Sequence, residues 1–401
     1  LGRQYHAVVG NPPYIVVKDA ALNAAYRKKY ASCHMKYSLG APFTERFFDL
    51  AVTGTGGQGA GFVGLITANS FMKREFGSKL IEQVLPRLDL THVVDTSGAY
   101  IPGHGTPTVI LLGRHRAPVA AGVRTVMGIK GEPSTPADPA HGLVWSAIVG
   151  QIDLAGSESD FVSVVDTPRA TLGKHPWSIG GGGAADLREQ IEAQASGKLK
   201  ALAAAVGVMV VTGEDDIFIR DTPAPFARIK TPTTSLREFV EGDAVRDWQT
   251  TSICTAIYEY EPHGCHDPSP VLDDYFWQFR ALMRPAIYFG KTKEQRGMHW
   301  REYGVIVKDK LGNTPTITFA EVATHNHFVL DRGGKVFNRT APVITLPAGS
   351  SEDEHLGLLG LLNSSVACFW MKQVSHNKGN GGIGGGISDE MWELRYEFNA
   401  T

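Results

Sequence analysis

His6-Ala7-Val8-Val9-Gly10-Asn11-Pro12-Pro13-Tyr14 is the stretch whose reading decides the fold. The apolar run up to Gly10 reads as a buried strand, and Asn11-Pro12-Pro13-Tyr14 follows at its C-terminal end. The tetrapeptide alone leaves two readings open. Asn-Pro starts turns, and two prolines after a strand end it. Equally, the Asn11 side-chain oxygen and a Pro12 carbonyl stiffened by Pro13 can offer two acceptors to an amine. The residues that follow separate the two.

Outward from this loop, Lys18 to Met35 reads as a helix whose basic residues Arg27, Lys28 and Lys29 form a solvated face. Pro42 to Thr53 has helical spacing and stops at glycines. Gly61 to Ala68 is a continuous apolar strand, Met72 to Leu85 a helix, and Thr91 to Asp95 and Thr108 to Leu112 are short strands. Unbroken apolar strands alternating with helices predict a doubly wound α/β sheet covered on both faces. Gly54-Thr55-Gly56-Gly57-Gln58-Gly59 matches G-x-G-x-x-G, but it leaves a helix and enters a strand. A dinucleotide loop does the reverse, so this is a helix stop and turn.

The order strand, Asn-Pro-Pro-Tyr, helix with Phe43, GFVGLITANSF, helix, THVVDTS, PTVILL resembles motifs IV to VIII of the gamma-order N6-adenine DNA methyltransferases. Residues 211–218 (VTGEDDIF) resemble the opening of the C-terminal target-recognition domain that many of these enzymes carry, and Leu362-Asn363-Ser364 a pattern late in it. GKTKEQRGMHW and ATHNHFVLDRGGKVFN add a resemblance to the members found in phage-growth-limitation (BREX type 2) defence systems. The resemblance implies the C-terminal half of a doubly wound, Rossmann-like methyltransferase sheet, with its last two strands a hairpin, followed by an α+β target-recognition domain. The expected boundaries are 1–116 for the catalytic part, 117–170 for an insert or connection, and 171–401 for the DNA-reading domain. No strand followed by a glycine-rich S-adenosyl-L-methionine (AdoMet) loop occurs in these residues. The expectation is a longer parent protein carrying that loop upstream.

The resemblance also assigns roles. An exocyclic amine is a weak nucleophile because its lone pair is delocalised into the ring. Two acceptors on its N–H bonds draw it toward a tetrahedral, reactive nitrogen. The Asn11 side-chain oxygen is one candidate acceptor. The Pro12 carbonyl, stiffened by the Pro12-Pro13 pair, is the other. Tyr14 offers a face for the extruded base and Tyr100 its second face. Phe43, with Pro13, is expected near AdoMet, the implied methyl donor. Double-stranded DNA and other phage-defence (BREX/Pgl) proteins are the implied partners. Two competing readings are a catalytically incomplete DNA-binding specificity module, and a methyltransferase acting on an RNA base or a glutamine amide.

Composition is compatible with this. Net charge is −2, but residues 1–116 hold 13 Lys+Arg against 7 Asp+Glu, and 280–310 hold 8 against 3. Local basic strips matter more than the total for phosphate contact. In the second strip Lys291, Lys293, Arg296, Trp300 and Arg301 are the candidate DNA contacts. No apolar run is long enough to span a bilayer and no secretory signal opens the chain, so a cytoplasmic protein with no membrane association is expected. Cys33, Cys254, Cys265 and Cys368 lack C-x-x-C spacing and read as reduced thiols. Cys254, His263, Cys265 and His266 match no standard zinc pattern. His325 and His327 alternate as on one face of a strand and read as structural histidines, so no metal is expected. Trp177 to Gly183 and the glycine-rich 377–388 read as flexible loops.

Overall fold

A computed structural model describes residues 3–54, 59–103, 105–251, 253–261, 264–265, 270–311, 315–379 and 394–398. The chain divides into two units, one of Leu1–Gln194 with Trp370–Glu397, the other of Ala195–Phe369 with residues 398–400.

The first unit is built on a six-stranded mixed sheet. Its strands are β1 (Ala7–Gly10), β2 (Phe62–Ala68), β3 (Asp89–Asp95), β4 (Thr108–Arg114), β5 (Gly122–Gly128) and β6 (Val162–Pro168), in the order β1-β2-β4-β3-β5-β6. β1 runs parallel to β2, and β3 parallel to β5. β4 lies antiparallel between β2 and β3, so the expected hairpin of the last two motif strands is present. The apolar strands bury alternate residues: Val63, Leu65, Val93, Val109 and Leu111 join Phe48, Leu80 and Trp177 in one core. Helix α1 (Ala20–Lys29) is capped by Asp19, which accepts from the Leu22 amide at 2.6 Å. Helix α2 is Gly40–Leu50.

Three expectations change here. Residues 117–170 are not an insert. They supply β5 and β6, and buried Asp89 on β3 accepts from Arg116 at 2.8 Å and from Arg169 at 2.8 Å, which ties both ends of that segment to the sheet. Secondly, 171–401 is not one domain. Trp177 packs against Phe71 at 5.7 Å in the first core, and Trp370–Glu397 returns to the first unit. Burial of a large aromatic outweighs the flexibility that the neighbouring glycines suggest. Finally, Met72 to Leu85 is not a regular helix. Gly77 and Pro86 interrupt it, and the chain passes through short 3₁₀ turns and a π turn at Leu80–Val84.

The second unit is α+β. One four-stranded sheet orders Val336–Phe337, Leu236–Val240, Cys254–Ile257 and Ile219–Arg220, and another orders Phe328–Asp331, Thr316–Phe319, Val343–Thr345 and Ala205–Gly207. Two helices, Glu352–Leu362 and Ser365–Val374, are divided at Asn363-Ser364.

Candidate functional site

Asn11 leaves the C-terminal end of β1. Because β1, β2 and β3 run the same way, the loops after all three open at one edge of the sheet. Asn11 is exposed, and no described residue hydrogen-bonds its side chain. Pro12 is buried, Pro13 exposed and Tyr14 half-buried, and burial pushes the Tyr14 phenol up from its ordinary value. The loop therefore has a fixed backbone and a free polar tip. Its base is tightened by α2: a Cβ on Gly10 would lie 2.9 Å from the Phe47 ring, so only glycine lets the helix close on the strand end. Phe43, one turn before Phe47, stands edge-on to it at 6.1 Å. Tyr100 is half-buried in the loop joining β3 to β4, at the same sheet edge.

Sequence reasoning passed over two groups at that edge. Lys73, after β2, donates to the Gln373 carbonyl, and burial together with Arg188 holds its amine down to about 7. Asp95, at the end of β3, accepts from the Ser97 amide at 2.9 Å, and burial raises its carboxyl. Lys73 thereby ties the returning segment to the end of β2, while Asp95 holds the turn after β3. Nothing in the sequence links positions 73 and 373.

β1 forms the outer edge of the sheet among the described residues, paired with β2 alone. Val9 is 81% exposed on it, with Tyr5, Ile15 and Phe62 exposed nearby. An apolar edge of this kind is a surface for pairing with further chain.

The basic strip in the second unit resolves differently from its reading. Lys293 is fully buried, reaches the Trp300 carbonyl at 3.4 Å, and burial pushes its amine down to about 8. Trp300 is buried, Arg301 is paired with Asp273, and Arg296 donates to the Gly304 carbonyl at 2.6 Å. Of the five, Lys291 is the one left exposed with no acidic partner among the described residues. The correction is physical: these cations fold the loop around themselves. Their scaffold is the Thr212-Gly213 turn, where Gly213 has φ +84° and the Tyr288 hydroxyl occupies the place of a Cβ. Phe218 and Tyr303 pack edge to face at 4.8 Å behind it.

What the sequence did not reveal is a pair of exposed aromatics on hairpin tips. Phe289 is 82% exposed with φ +55°, between Ile287–Tyr288 and Lys291–Thr292, and the Arg296 guanidinium lies 5.3 Å from its ring centre. Trp248 is 58% exposed with φ +71°, between Val245–Arg246 and Gln249–Thr250. Phe289-Gly290 was a readable two-residue turn; Asp247-Trp248 carries no such signal. Of the possible zinc group, His263 and His266 lie outside the described residues, as do 55–58 of the glycine decoy and 380–393 of the glycine-rich tail.

Residues 2–101 match the family of Eco57I restriction-modification methylases. Over 99% of its length the chain is 47% identical to the adenine-specific methyltransferase PglX of Streptomyces coelicolor. The chain is similar to PglX over nearly its whole length. It covers 34% of PglX, so it spans about a third of the length of that relative. It is also 26% identical, over 83% of its length, to the type II methyltransferase M.XhoI of Xanthomonas vasicola, of which it covers 58%. Among solved structures it superposes on the type IIL restriction-modification enzyme MmeI in complex with DNA at a TM-score of 0.58, with 12% identity, over 98% of this chain and 45% of that one. That superposition shows a shared fold. The family resemblance drawn from Asn11–Tyr14 and the strands after it is borne out by the match to PglX and to the Eco57I methylase family. No helix among the described residues is long and apolar enough to cross a membrane.

Proposed function

We propose that these residues belong to a site-specific DNA methyltransferase that transfers the methyl group of S-adenosyl-L-methionine to N6 of an adenine extruded from duplex DNA. The observation that carries the reading is the exposed Asn11 amide, without a hydrogen-bond partner among the described residues, at the end of a parallel strand, on a loop stiffened by buried Pro12. AdoMet supplies an electrophilic sulfonium methyl. Bound there, it would pass that methyl to N6 and leave as the neutral thioether, with the displaced N6 proton going to water. Asn11 and the Pro12 carbonyl accept the two N–H bonds of the amine, while Tyr14 and Tyr100 bracket the base. The residues present fit the acceptor side of such a site. Phe43 and Pro13 are their contribution to the AdoMet side, and the open edge of β1 is where the strand bearing the AdoMet loop would pair. The second unit reads the DNA, with Lys291 and the hairpin-tip aromatics as its exposed contacts. We further propose, from the family resemblance, that the protein acts in the cytoplasm and marks host DNA with other phage-defence (BREX/Pgl) proteins.

The test is product analysis. The longer protein containing these residues is incubated with labelled AdoMet and duplex DNA, and the DNA is digested to nucleosides. Label in N6-methyl-2′-deoxyadenosine is the expected result. Label in another base, or transfer to RNA or protein in preference to duplex DNA, overturns the reading.

A further inference from the structure

Asp247, His325 and His327 lie together in the second unit, with one potential ligand atom from each within 4.8 Å of the others. The sequence separates Asp247 from the histidines by about eighty positions, and the fold closes that distance. The imidazole rings of His325 and His327 are 4.1 Å apart, centre to centre. The Asp247 Oδ1 stands 3.5 Å from His327 Nδ1, and the Asp247 amide approaches the same nitrogen at 3.3 Å. None of these is a short hydrogen bond, and the Asp247 side chain is 79% exposed.

The backbone that carries the three is held from behind. Asn326, between the histidines and buried, donates to the Leu362 carbonyl at 2.6 Å. Asn363 then clamps Phe328 on both sides, accepting from its amide at 3.0 Å and donating to its carbonyl at 2.9 Å. The Leu362-Asn363-Ser364 corner thus fixes residues 326–328, so the histidines project from a set position. Asp247 projects from a two-residue hairpin turn with φ +44° at Asp247 and +71° at Trp248, a turn that asparagine and glycine ordinarily occupy. Buried Ala244 and Val245 root that hairpin.

We propose that Asp247, His325 and His327 bind one divalent transition-metal cation of the zinc class, fixing the hairpin tip that presents Trp248. Two imidazoles and a carboxylate are a donor set for zinc, cobalt and their neighbours rather than for calcium or magnesium. Ligands on a tetrahedral zinc sit about 3.3 Å apart, given metal–ligand bonds of about 2.0–2.2 Å. The exposed side chains of Asp247 and His325 can swing to meet that geometry on buried His327. Three protein ligands leave the fourth position to water.

The experiment uses the 401-residue chain, stripped with chelator and titrated with CoCl₂, then with ZnCl₂. The expected result is one equivalent of Co²⁺ with the intense visible absorption of a four-coordinate ion, displaced by Zn²⁺. Asp247→Ala and His325→Ala, both at exposed positions, should keep the fold by circular dichroism. Each should weaken binding at least about tenfold, while His141→Ala, at an exposed histidine elsewhere, leaves it unchanged. No binding by the folded chain, or binding equally strong in both ligand variants, overturns the proposal.

Discussion

The loop at Asn11–Tyr14 and the strip from Lys291 to Arg301 were both picked out by their letters, and the fold treats them oppositely. Asn11 is left exposed with no described partner, at the tip of a loop whose base is packed. In the strip, Lys293 is buried, Arg301 is paired with Asp273 and Arg296 is spent on a backbone carbonyl. A polar side chain that the fold leaves unsatisfied is available to a substrate. One that the fold satisfies is part of the scaffold. The sequence shows the letters in both cases and the partners in neither.

The largest effect that separates the two regions is expected at Asn11. In the longer protein, Asn11→Ala should lower methyl transfer about 10²–10³-fold with duplex affinity nearly unchanged. Near-normal transfer would remove Asn11 from the chemistry. At Lys293 the effect should fall on stability instead. Lys293→Glu buries a carboxylate close to Glu214 and should cost about 3 kcal/mol or more in denaturant melts. A change below about 0.5 kcal/mol would show that Lys293 is in fact a surface cation. Lys291→Ala should leave melting alone and reduce the slope of log K for duplex binding against log salt by about one. An unchanged slope would show that Lys291 does not touch phosphate.

A smaller effect concerns the returning segment of the first unit. Burial lowers His376 from 6.5 to about 4, with Arg74, Lys378 and Lys73 adding to the cost of its charge and Glu397 opposing them. Between those values the unfolded imidazole binds a proton that the folded one refuses. Stability from this group is therefore complete above about pH 6.5 and declines as pH falls toward 4. His376→Gln should flatten that part of the melting-temperature profile; an identical profile would assign the acid sensitivity elsewhere.

Much of the first unit was legible because its strands are continuous apolar runs set at regular intervals by loops. β2 and β4 were found within two residues of their observed ends. β5 and β6 were missed although Val123, Val126, Val162 and Val164 are β-branched and buried, because the proline- and glycine-rich stretch between them dominates the local composition. Long-range closures were not legible at all. Arg169 reaching Asp89, Lys73 reaching Gln373, and Asp247 reaching His327 each depend on topology, and no spacing encodes them. The strip failed for a related reason: whether a lysine faces water or a tryptophan carbonyl is decided by packing, not by its neighbours in sequence.

On the function proposed above, these residues hold the amine-accepting side of a methyltransferase site, and the AdoMet-binding side pairs along the open edge of β1. Calorimetry of the 401-residue chain with AdoMet tests it most directly. No measurable heat of binding is expected for this chain, and a clear isotherm for the longer protein. A micromolar isotherm from the 401 residues alone would contradict it, because these residues would then hold a complete AdoMet site.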